Sequence, residues 1–145
     1  MWLVKKFFIR ILSKFIGFMM RRIKLPEPEL ISGPGSLNQL PALVQSKGVR
    51  SVLLVSDKGI SGIGLIDPLV EALDKVGIDC TVYDDVQSNP TIANIESGVE
   101  IYRANKCDGI IAFGGGSPMD CAKVINARIG NPKKTALQMQ GGMKV

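Results

Sequence analysis

From Leu30 onward, short apolar runs alternate with longer stretches in which apolar residues recur every three or four positions. The runs have the character of strands covered on both faces, and the stretches that of amphipathic helices. The pattern predicts a strand at Glu29-Leu30-Ile31-Ser32, a turn at Gly33-Pro34-Gly35, and a helix from Ser36 to about Lys47, closed by Gly48. A continuous apolar strand follows at 51–56, then a loop rich in glycine (Gly59, Gly62, Gly64) and a helix from about Leu65 to Val76, stopped by Gly77. Residues 79–83 read as the next strand. Asn89-Pro90-Thr91 opens a helix to about Lys106, with Ile92, Ile95, Val99 and Tyr102 on one stripe. A strand over 108–113 and a helix over 117–128 complete the series. Strands alternating with helices through short connections predict an α/β fold, a parallel sheet with helices on both faces.

Residues 1–25 obey a different rule and end at Pro26-Glu27-Pro28. At about 100° per residue, Lys6, Arg10, Lys14, Arg21 and Lys24 share one narrow face, with Val4, Phe8, Leu12, Phe15, Ile16 and Met19 opposite. This predicts an N-terminal amphipathic helix. Its charges interrupt the apolar run and no small-x-small site follows, which argues against a signal peptide and a transmembrane span. Two readings stay open. The helix lies in the interface of an anionic membrane, helped by Trp2 and the phenylalanines, or its apolar face packs on the protein's own body or a partner subunit. The expected organisation is a basic arm over 1–26 and a nucleotide-binding α/β domain over 27–145.

Charge sharpens that division. The chain carries 18 basic and 13 acidic residues, a net charge of +5. Seven of the bases and none of the acids fall within residues 1–26, so the rest has eleven bases against thirteen acids, a net −2. The body is mildly acidic, which argues against a nucleic-acid partner. Cys80, Cys107 and Cys121 show no CxxC or metal-type spacing and read as reduced core thiols of a cytoplasmic protein. The chain has no histidine, which excludes a histidine base, a Ser-His-Asp triad and a histidine-rich metal site within these residues.

The chemistry gathers at Phe113-Gly114-Gly115-Gly116-Ser117-Pro118-Met119-Asp120, where an apolar strand runs into three glycines and then a helix. Glycines there leave backbone N–H groups uncovered, and the positive helix end favours an anion such as phosphate. Ser117 is expected as the helix cap, Pro118 at its first position and Asp120 at its third, its carboxylate reaching back to the cap N–H. In parallel α/β sheets ligands collect beyond the C-terminal strand ends, and Asp57, Asn89 and the glycine turn all fall there. Asp57 suits a ribose hydroxyl or a helix cap equally. Asn89, preceding Pro90, is expected to be extended, aiming its amide across the strand ends, or to be an ordinary turn residue. Lys123 reads as solvated. Adjacent Asp84 and Asp85 point to opposite faces of a strand and make a poor acid–base pair. The turn lacks both the GxGxxG and the GxxxxGK[ST] spacings, so pattern alone ends at a nucleotide or phosphate binder.

Taken together, Leu53 through Gly59, Asn89-Pro90-Thr91 and Gly114 through Lys123 (GGGSPMDCAK) resemble the N-terminal domain of the iron-containing, group III alcohol dehydrogenases, over roughly residues 30–140. The resemblance implies a Rossmann-like sheet and an NAD(P)-dependent oxidoreductase that interconverts primary alcohols and aldehydes with Fe²⁺ or a similar divalent metal. It implies Asp57 beside the adenosine ribose, favouring NAD over NADP because a 2′-phosphate would meet like charge. It puts Asn89 along the cofactor cleft, and Gly115, Gly116, Ser117, Pro118, Met119 and Asp120 around the pyrophosphate. A glycerol-type dehydrogenase is a neighbouring reading, which Ser117 through Asp120 fit less well. The family also implies a homo-oligomer, a threonine-rich cofactor loop and a helical domain with one Asp and three His metal ligands. The sequence reaches Val145 without that loop or domain, so the expectation is an incomplete sheet and a cofactor-binding half that is inactive alone. The competing reading is a free-standing nucleotide-binding or interaction module held at a membrane surface by the basic helix.

Overall fold

A computed structural model describes residues 29–139. The chain divides into two units, Met1–Ser32 and Gly33–Val145. The amphipathic helix expected in residues 1–25 lies outside the described residues.

In the second unit three parallel strands, β1 (Ser51–Val55), β2 (Asp79–Tyr83) and β3 (Gly109–Ala112), form a sheet in the order β2-β1-β3. The helices are α1 (Leu40–Ser46), α2 (Lys58–Ser61), α3 (Asp67–Lys75), α4 (Ile92–Ala104) and α5 (Gly116–Gly130). Central β1 is apolar throughout because both its faces are covered. Val52 and Leu54 pack with Ile66, Leu69, Leu73 and Ile78 on the side of α1 and α3. Leu53 and Val55 pack with Tyr83, Ile95, Val99, Cys121 and Ile125 on the side of α4 and α5. Alternate side chains of one strand thus feed two cores. Each of these four residues is at most 1% exposed, which corresponds to about 1.5–3 kcal/mol of transfer free energy apiece.

The α/β class and the parallel sheet agree with the sequence pattern, and three elements differ from it. Residues 29–32 form no strand: Leu30 is 87% exposed and the segment has no ladder partner among the described residues. A tetrapeptide with only two apolar residues becomes a strand only by pairing. The helix expected from Ser36 divides into a 3₁₀ turn, Ser36–Gln39, and then α1, whose first turn holds Pro41. Proline has no backbone N–H with which to continue an α-helical ladder, so the α-helix starts where that donor is not needed. The glycine-rich loop contains α2, one turn nucleated by Asp57, whose carboxylate accepts the Ile60 N–H at 3.1 Å. The cysteines are free and lie in or beside the core; burial pushes the thiols of Cys80 and Cys121 up to about 11.

Candidate functional site

Beyond the C-terminal strand ends lies an open cleft of about 540 Å³. Its walls are the start of α2 (Asp57, Lys58, Gly59), the segment after β2 (Asp84 to Ser88) and the start of α5 (Gly115 to Pro118). Ser56 fixes these walls relative to one another. Its N–H donates to the Tyr83 carbonyl at 2.8 Å and its hydroxyl to the Phe113 carbonyl at 2.9 Å, so one buried residue ties the ends of all three strands.

The glycine turn divides its labour. Gly114 has φ +141°, and a Cβ there would stand 3.0 Å from both Ile60 Cδ1 and Pro118 Cγ. Glycine is required at that residue by backbone and packing together. Gly115 and Gly116 meet no heavy atom within 4 Å of where a Cβ would stand, and both are exposed. Nothing in the fold demands glycine at these two positions, and their bare backbone opens on the cleft. Gly115 is the N-cap of the 15-residue helix α5 and makes no side-chain cap bond. The positive end of the helix therefore fronts the cleft. The expected cap does not form: the helix begins at Gly116, which puts Ser117 and Pro118 inside its first turn. Asp120 lies beyond the reach of the cap N–H and pairs instead with Lys123 at 3.2 Å.

The opposite end of the cleft is acidic. Asp57 caps α2 and is half-buried. Its backbone bridges to Asp85 in an isolated antiparallel contact. Asn94 holds the Asp85 carbonyl through its amide at 3.1 Å. Asn94 is itself fixed by the capping box it forms with Thr91 at the start of α4. Side chains lace the two walls: Lys58 Nζ meets Asp85 Oδ1 at 2.7 Å, and the Ser61 hydroxyl donates to Asp84 Oδ2 at 2.6 Å. The hydrogen bond from Lys58 and the charge of Asp85 raise the Lys58 pKa above its ordinary value.

Of the residues expected around a ligand, Asp57, Gly115, Gly116, Ser117 and Pro118 line the cleft together. Asn89, Met119 and Asp120 do not line it. Asn89 departs from the extended conformation expected of it: φ is +61°, a left-handed value that asparagine tolerates better than most residues, and its side chain is exposed. Met119 instead borders a groove with Ile110, Ala112 and Ala122. The sequence pattern gives no site role to Ser56 or Lys58, and it sets Asp84 and Asp85 aside as a poor acid–base pair. Their signal is positional: polar residues directly following the apolar cores of β1 and β2. Among the described residues no group of three or more His, Cys, Asp or Glu side chains could hold a metal ion. Among them, too, no helix is long and apolar enough to cross a membrane.

Comparison with known proteins gives this chain a lineage. The family model for iron-containing alcohol dehydrogenase matches residues 27–144. The chain is 39% identical over 93 residues to choline dehydrogenase of Bacillus subtilis (strain 168), covering 64% of this chain and 23% of that protein. It is 38% identical over 104 residues to alcohol dehydrogenase 4 of Schizosaccharomyces pombe, covering 72% and 25%. Among solved structures, sulfoacetaldehyde reductase from Bifidobacterium kashiwanohense in complex with NAD⁺ superposes with a TM-score of 0.70 at 26% identity, covering 83% of this chain and 32% of that one. The chain thus spans about a quarter of the length of the curated relatives it matches. It belongs to the iron-containing alcohol dehydrogenase family.

Proposed function

We propose that this chain is the cofactor-binding part of an oxidoreductase acting between primary alcohols and aldehydes, and that its cleft receives NAD. The observation that carries the reading is the pair Gly115 and Gly116, open on the cleft where the fold makes no demand for glycine, at the start of a 15-residue helix. Backbone N–H groups at that helix start would receive the pyrophosphate. Asp57 would accept hydrogen bonds from the adenosine ribose, and its charge disfavours the 2′-phosphate of NADP. A solved relative is itself a complex with NAD⁺. When bound, the nicotinamide accepts or returns the hydride. Ser117 and Pro118 complete the pyrophosphate end. Asn89, Met119 and Asp120 enter the proposal as sequence neighbours of lining residues.

The residues present do not fit the metal. The chain has no histidine, so the one-Asp, three-His ligand set that the family resemblance implies would need donors from outside these residues. In this reading residues 1–26 form the basic arm and 27–145 the nucleotide domain, inactive alone, and the complete enzyme is a homo-oligomer.

The test is calorimetric titration of the 145-residue chain with NAD⁺, before and after Gly116→Val. The substitution is expected to leave unfolding stability within about 1 kcal/mol, since no heavy atom lies near the added Cβ. It should weaken NAD⁺ about tenfold or more by crowding the bare backbone. Unchanged affinity in a folded variant would sink the placement of the pyrophosphate.

A further inference from the structure

We infer that Asp85 is a specificity-determining residue of this cleft: by holding the Lys58 ammonium it withholds the one lysine of the cleft wall from a 2′-phosphate. This excludes NADP beyond the effect of Asp57. The inference rests on the reading of the cleft as a dinucleotide site.

Lys58 follows Asp57 directly, and both line the acidic end of the cleft. Left to itself, an ammonium one residue from the ribose carboxylate would be placed to accept a 2′-phosphate and offset the repulsion from Asp57. Here it is engaged by Asp85 Oδ1 at 2.7 Å. The pair is built rather than incidental. The Asp85 backbone is fixed twice, by its bridge to Asp57 and by the Asn94 amide on its carbonyl. Lys58 is the first residue of α2, whose position the Asp57 cap sets. Asp84 adds a third carboxylate to the same wall, occupied by the Ser61 hydroxyl at 2.6 Å. Three carboxylates against one engaged lysine leave that end with two net negative charges.

Both side chains are largely exposed, 74% for Lys58 and 61% for Asp85. A pair so exposed contributes little to folding. Its consequence lies in what the lysine is prevented from meeting. A 2′-phosphate carries about −1.5 to −2 charges, so releasing one ammonium and removing one carboxylate near it amounts to about tenfold in affinity at low ionic strength. NAD has no group at that position and is affected far less.

The experiment titrates NAD⁺ and NADP⁺ into the full 145-residue chain and into Asp85→Asn, Lys58→Ala and the double variant, at low and high salt. The expected result is a shift of the NADP⁺/NAD⁺ affinity ratio by about tenfold toward NADP⁺ in Asp85→Asn. The shift should be abolished in the double variant and shrink on added salt. Lys58→Ala alone uncovers the Asp85 carboxylate and should move the ratio further away from NADP⁺; a move toward NADP⁺ in that variant would overturn the inference. A ratio unmoved by Asp85→Asn in a chain that binds NAD⁺ overturns this inference and leaves the cofactor reading standing. A shift that survives in the double variant also overturns it, since the gain would then come from loss of the carboxylate alone. Failure of the unsubstituted chain to bind NAD⁺ overturns both.

Discussion

Ser56 has no exposed surface, and its hydroxyl donates to the Phe113 carbonyl at the residue where the glycine turn begins. The bond spans 57 residues of sequence and joins the end of β1 to the end of β3. Ser56→Ala would leave that carbonyl without its donor, a cost of about 1–2 kcal/mol. The expected outcome is a lower urea midpoint at unchanged m-value, together with several-fold weaker NAD⁺ binding as the start of the turn loosens. Binding unaffected by a measured loss of stability would show that the packing of Gly114 against Ile60 and Pro118 sets the turn unaided. At this scale the sequence discloses residue types better than roles. The three glycines are evident, yet only coordinates separate Gly114, fixed by φ and contact, from Gly115 and Gly116, which are open. Asp57 reads equally as cap or ribose partner. It is a cap in the structure, and the ribose role remains part of the proposal.

The elements themselves follow legibility by range of interaction. The strand Asp79–Tyr83 and the start of α4 after Thr91 can be read from local pattern because strand alternation and capping are local. The strand expected at 29–32 depends on a partner elsewhere, and sequence alone cannot supply one. The segment after α5 shows what a nonlocal tie does. Glu96 in α4 accepts the Ala136 N–H at 2.9 Å and Arg128 Nε at 3.1 Å, while Arg128 also donates to the carbonyls of Asn131 and Pro132. The Ala136 N–H first, and then Arg128, hold the Glu96 carboxyl below its ordinary pKa. The unfolded chain therefore takes up that proton at higher pH than the folded chain. The stabilisation is complete above the ordinary value of about 4.3 and disappears as pH falls through the lower folded value. Asp108, held down by the Ser51 and Arg50 N–H groups, adds to the same acid limb. Glu96→Gln keeps an acceptor and loses the charge. It is expected to cost about 0.5–1 kcal/mol at pH 7, a modest figure because the side chain is 32% exposed. The difference from the unsubstituted chain should narrow below about pH 4. An equal difference at pH 7 and pH 3.5 in urea titrations would mean that the ionised carboxylate is not what fastens the segment.

At the scale of the whole molecule, binding and turnover separate. The described sheet has three strands, and its β3 edge borders a groove of about 310 Å³ lined by Ile110, Ala112, Met119 and Ala122. The chain covers about a quarter of its relatives, and its match to the family spans nearly all of the α/β unit. In the proposed reading the strand-end cleft takes the phosphates and ribose of a hydride acceptor. What an alcohol needs in order to lose hydride is help in shedding its proton, which a metal gives by polarising the oxygen and lowering its pKa. The chain has no histidine, and among the described residues no group of three or more His, Cys, Asp or Glu side chains could hold a metal ion. In the proposed reading that help comes from outside these residues. The expected result is therefore asymmetric. Mixed with NAD⁺, a primary alcohol and Fe²⁺, the chain should bind the dinucleotide, seen by calorimetry, and form no NADH above a protein-free control, seen by absorbance. NADH formation proportional to chain concentration, and abolished by Gly116→Val, would place reaction chemistry inside the cofactor cleft itself and overturn the division between the two tasks.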